Sequence, residues 1–123
     1  MALENDPLSM IRYTGLAYAL NFARRYDESI EASRRALQID PNSYLIWHAL
    51  GMAEFLAARN QDAIHSLERS IELAPWFASA VGLLASAYHR VGDQEHAVKR
   101  AQQLAQSNPD SPQWPSIARQ PVK

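Results

Sequence analysis

Four histidines, at positions 48, 65, 89 and 96, are the side chains in this sequence best suited to metal binding or proton transfer. Their spacing argues against both. His48 falls on one helical segment and His65 at the start of the next, while His89 and His96 straddle a turn. No pair has the i, i+4 geometry of a helical zinc site with a carboxylate beside it. Ser29 and Ser33 have no histidine and acid in relay, and the few glycines form no loop that would cradle a phosphate. Cysteine is absent, which removes disulfides, thiolate metal sites and thiol nucleophiles together. The expectation is a protein without catalytic residues, metal or cofactor.

The segments that carry these residues repeat. Shifting the sequence by 34 places aligns Pro41, Pro75 and Pro109, then Leu16, Leu50 and Leu84. The small residues Ala17, Gly51 and Ala85 form a third column and Ser29, Ala63 and Ala97 a fourth, with Ile30, Ile64 and Val98 alongside. A fixed period of this length means one supersecondary element per unit. The units are residues 10–43, 44–77 and 78–111, preceded by a lead-in at 1–9 and followed by a proline-rich tail or short cap at 112–123.

Within each unit the apolar residues recur at helical spacing, and no segment alternates for long enough to be a strand. Asp6 and Pro7 read as the start of the first helix, and Asp27, Asn60 and Asp93 as caps of the second helix of each unit. Gly92 reads as a C-cap. Asp40-Pro41 ends the second helix of the first unit, because proline disfavours helical geometry in the residue before it. Two antiparallel helices approach closely only where side chains are small, as in the two columns above. One such hairpin buries too little to offset its chain entropy, so the units must stack. The fold expected is an all-α solenoid of three helix-turn-helix repeats, a right-handed superhelix with the first helices along its concave face.

Composition agrees with a folded chain and narrows the partners. Of the 123 residues 47% are hydrophobic and 20% charged, and 12 Lys and Arg face 13 Asp and Glu. Near neutrality offers no broad footprint for nucleic acid or anionic membrane. No apolar run is long enough to span a bilayer, and no leader is visible at the start. The compartment is left open, with the cytoplasm as the default.

The pattern resembles the tetratricopeptide repeat, most clearly in Trp47, Leu50, Gly51, Ala63, Leu67 and Pro75. That resemblance implies a ligand groove on the first helices, here lined by Tyr18, Asn21, Phe22, His48, Met52, Phe55, Ser86 and His89. Aromatics with a few donors suit an amphipathic helix or extended peptide. The opposing account is that Tyr18, Phe22, Phe55 and Leu56 only pack against neighbouring helices. Relatives that clamp a free carboxylate use basic and amide residues where this chain has Thr14, Tyr18, Ala49, Ser79 and Leu83, so that clamp is missing. His89 and Arg90 remain able to meet one acidic group.

Four departures from the pattern stand out. Glu54 occupies the column of Leu20 and Tyr88, where its stem is expected to pack while its head reaches solvent or an arginine. Leu104 takes a column held by Ala36 and Ser70, and with Trp114 and Ile117 it is a candidate for self-association. Trp76 stands where Asn42 and Asp110 stand, either as an exposed contact or folded back over the neighbouring second helix. The tail carries Pro112, Pro115 and Pro121, which exclude a long capping helix and leave a short turn or an unstructured end. Two functions follow from different classes: a peptide-binding interaction module, or a self-associating, regulatory segment of a larger signalling or transcription-regulating protein.

Overall fold

A computed structural model describes residues 8–107. It contains α1 (Ser9–Phe22), α2 (Tyr26–Ile39), α3 (Tyr44–Leu56), α4 (Asn60–Leu73), α5 (Ala78–Arg90) and α6 (Gln94–Ser107), with no strand among the described residues. The chain is an α-solenoid. Helices pair as hairpins α1/α2, α3/α4 and α5/α6, the hairpins stack through α2 on α3 and α4 on α5, and the first helices also touch one another. Asp6, Pro7, Pro109, Trp114 and Ile117 lie outside the described residues.

The three tight turns share one backbone pattern. Arg25 N–H donates to Leu20 O at 2.8 Å, Arg59 N–H to Glu54 O at 2.8 Å, and Asp93 N–H to Tyr88 O at 2.9 Å. Each of these bonds caps the end of a first helix across a left-handed residue, Arg24 (φ 62), Ala58 (φ 64) or Gly92 (φ 80). Only the third turn uses the glycine that makes this conformation free of Cβ strain. The second helices therefore start earlier than their acidic residues suggest. Arg25 and Arg59 occupy the N-cap places without a side-chain cap, which corrects the assignment of Asp27 and Asn60. The Asp27 carboxylate instead accepts from Arg59 in the next unit at 2.9 Å. Asp93 does cap α6, accepting from His96 N–H at 3.1 Å.

Two apolar clusters hold the stack. Ile30, Leu50 and Ala53, with Tyr26, Leu37 and Trp47 around them, join the first unit to the second. Ala63, Leu67, Ile71, Ala80, Val81 and Leu84 join the second to the third. Inside each hairpin the small columns allow close approach: Ala17 and Ala63 are fully buried. At Gly51 a Cβ would lie 2.6 Å from Leu67 Cγ. Ser29 Oγ donates to Ala17 O and Ser70 Oγ to Tyr44 O, both at 2.9 Å, so these two seam hydroxyls are spent on helix carbonyls.

Glu54 differs from expectation. Its head is buried, and Ser66 Oγ rather than an arginine donates to it, at 2.6 Å. Burial raises its pKa, opposed by the Ser66 hydrogen bond. Leu104 turns inward: its Cδ2 lies 3.6 Å from where a Cβ on Gly82 would be, and the side chain packs on the Leu84 cluster. A Cβ at Gly82 would meet that carbon at ordinary contact distance, so the column accepts a leucine without crowding. Much of the Trp76 indole stays exposed, and its ring lies edge-on to Tyr44, at the start of the first helix α3, with centroids 5.0 Å apart.

Candidate functional site

The inner wall is made by α1, α3 and α5, whose hairpin partners hold them side by side. Its upper part is closed by hydrogen bonding. Tyr18 Oη lies 2.6 Å from His48 Nδ1 and 3.1 Å from Leu45 O, and His48 Nε2 lies 3.0 Å from Ser79 Oγ. The Phe77 ring lies edge-on to the imidazole, centroids 4.8 Å apart. One ring in the middle unit thus bonds to a side chain from each outer unit. Burial lowers the His48 pKa to about 4, so the ring is neutral at pH 7, and burial likewise raises that of the Tyr18 phenol.

His48 and Asn21, expected along an open groove, are therefore not open. His48 is buried in this relay, and Asn21 is buried with its Nδ2 donating to Ala49 O at 3.1 Å. The sequence puts Thr14, Tyr18, Ala49, Ser79 and Leu83 where some relatives are expected to carry a carboxylate clamp. Tyr18 and Ser79 stand at two of its five places and both bond to His48, while Ala49, at a third, is fully buried.

Toward the turns the wall is accessible. Met52 and Phe55 are half-buried on α3, Leu56 and Phe22 are exposed at the ends of α3 and α1, and Ser86 and His89 are exposed on α5. The guanidinium carbon of Arg90 sits 3.6 Å from the centroid of the Phe55 ring. Its Nη1 donates to Phe55 O at 2.5 Å and more weakly to Asn60 Oδ1 at 3.4 Å. No carboxylate pairs with it among the described residues. Ser86 Oγ turns back to Gly82 O at 3.2 Å, and His89 Nδ1 lies 2.9 Å from the Gln94 amide nitrogen. Arg90 is the residue that sequence spacing undervalues, because nothing in the sequence says that a helix-terminal arginine will sit over the ring of the preceding unit.

Among the described residues no group of three or more potential ligands could hold a metal ion, and no helix is long and apolar enough to cross a membrane. The other two histidines are engaged at the surface, His65 edge-on to Trp47 and His96 against Asp93.

Three stacked helical hairpins with a shared inner wall define a helical repeat array. The tetratricopeptide repeat family model matches residues 12–43, and the six helices fit three such repeats. The peroxisomal targeting signal receptor of Candida glabrata is 30% identical over 74 residues, which is 60% of this chain and 12% of the receptor. The chain spans less than a quarter of the length of the curated relatives it matches. Among solved structures, the first tetratricopeptide domain of Spaghetti (RPAP3), bound to the HSP90 peptide SRMEEVD, superimposes with a TM-score of 0.84 at 16% identity, covering 93% of this chain and 90% of that one. MamA superimposes with a TM-score of 0.80 at 24% identity, covering 88% and 63%. At these identities the structural likeness is one of fold.

Proposed function

We propose that this chain is a non-catalytic protein-interaction module that holds a helical or extended peptide along the lower inner wall. Apolar side chains of the peptide rest on Met52, Phe55 and Leu56, and an acidic group meets Arg90. The observation that carries this reading is the guanidinium carbon held 3.6 Å over the Phe55 ring centroid with no carboxylate partner among the described residues. A cation fixed in advance loses little freedom when a ligand arrives, and the ring beneath it offers an apolar floor. The binding of SRMEEVD by the Spaghetti domain is consistent with an acidic peptide on such a wall. Because Tyr18 and Ser79, at two of the five clamp places, are tied to His48, the acidic group here is expected to be a side chain rather than a chain terminus.

The test is selection from a peptide library followed by titration against Arg90→Gln, Phe55→Ala and Met52→Glu. A hydrogen bond to a charged group contributes about 1.5–3 kcal/mol, so Arg90→Gln should weaken a selected acidic peptide about tenfold or more. Affinity unchanged by all three substitutions, or a library that yields no binder, overturns the proposal.

A further inference from the structure

The internal repeat supplies a template for what covers each end of the array. Leu50 and Leu84 are 5% and 0% exposed because the second helix of the preceding unit packs on them, whereas Leu16, in the same column of the first unit, is 48% exposed. The other end mirrors this. Ile30 is 3% exposed beneath the following unit, and its counterpart Val98 on α6 is 51% exposed. The two ends therefore present the two halves of one interface that the chain already builds twice, through α2 on α3 and α4 on α5.

Charge follows the same register. Between the first two units Asp27 on a second helix pairs with Arg59 in the following turn at 2.9 Å. Two units on from Asp27 stands Glu95 on α6, and one unit back from Arg59 stands Arg25. Glu95 is exposed, and among the described residues Arg25 is held by the surface carboxylate of Glu28 at the start of the adjoining helix. A further contact has the same logic. Phe22 is exposed in the column where Arg90 lies over Phe55, and the residue one unit beyond Phe55 is His89.

We propose that the occupant of both ends is a second copy of this chain, joined head to tail, with α6 of one copy packed on α1 of the next. Val98 then meets Leu16 of the next copy, Glu95 meets its Arg25, and the superhelix continues across the junction. Such a contact is heterologous, so it does not close into a two-fold dimer and instead adds copies in series.

Light scattering and sedimentation from micromolar to millimolar concentration test it, with L16E and V98E as the variants. Both positions are about half exposed, so circular dichroism and melting should match the wild type. The wild type should show a mass that climbs past the dimer as concentration rises, and each variant alone should stay monomeric. Every junction needs one Leu16 and one Val98, so mixing L16E with V98E should give a one-to-one dimer that grows no further. Swapping the charges in R25E/E95R should restore association weakened by E95R alone. A wild type that remains monomeric throughout overturns the proposal, as does a dimer abolished by only one variant or a mixture that fails to pair.

Discussion

Replacing Gly51 with alanine should destabilise this protein even though it improves helix propensity, and the sign should reverse when Leu67 is also shortened. The new methyl would stand 2.6 Å from Leu67 Cγ and 2.8 Å from its Cδ2, with the Leu67 backbone nitrogen 3.4 Å away. The branch carbon is not a free end that can swing aside, and the backbone behind it belongs to a packed helix. Overpacking of this kind costs about 1–3 kcal/mol, against about 1 kcal/mol gained by removing a glycine from a helix interior. The severity of the overlap places the clash near the top of that range, so Gly51→Ala should lose about 1–2 kcal/mol net. Leu67→Ala alone should lose about 2–5 kcal/mol, since Leu67 is fully buried. In the Leu67→Ala background the overlap is gone, and Gly51→Ala should then stabilise by about 1 kcal/mol. The sister units already show this balance, pairing Ala17 with Ser33 and Ala85 with Ala101 one unit either side of Gly51 and Leu67. Urea unfolding of the four proteins in the cycle, with m-values compared, gives the coupling. If Gly51→Ala has the same sign in both backgrounds, the steric account of the seam is wrong.

Two pH-dependent outcomes follow from the buried titratable groups. His48 has its pKa lowered from 6.5 to about 4, so between those values only the unfolded chain takes up the proton. Relative to His48→Gln, the wild type should keep its full stability above pH 6.5 and lose about 3 kcal/mol by pH 4, measured as the difference between the two unfolding curves at each pH; a constant difference would contradict the burial of a neutral ring. Glu54 works in the opposite direction, because burial raises its pKa and the folded state holds the proton more tightly. Glu54→Gln keeps an oxygen for Ser66 and should melt a few degrees higher than the wild type at pH 7, with the gap closing as pH falls through the folded pKa of Glu54.

The columns of small and apolar residues were enough to predict three stacked hairpins, because side-chain size at Ala17, Gly51 and Ala63 directly limits how closely two helices approach. Features that depend on neighbours from other units were not legible. The column of His48 holds Thr14 and Gly82 in the sister units, so nothing local marks it as buried; its burial comes from Tyr18, Ser79 and Phe77 converging from either side. Asp27 looks like a cap from its own helix and turns out to be half of a pair with Arg59. Glu54 looks like a snorkelling residue until Ser66 is seen to face it across the hairpin. Leu104 looks too large for its column until it is seen packing on the Leu84 cluster.

The Tyr18–His48–Ser79 bridge also bears on how the array comes apart. In a linear stack, energy passes between adjacent members, and the outermost ones ordinarily unravel first and alone. Here one imidazole is gripped from both flanks, so melting the central hairpin releases both outer hairpins together, and detaching either outer one disturbs the ring on which the other depends. Slow amide exchange should accordingly spread across α1, α3 and α5 as a single cooperative block instead of declining smoothly from the middle outward.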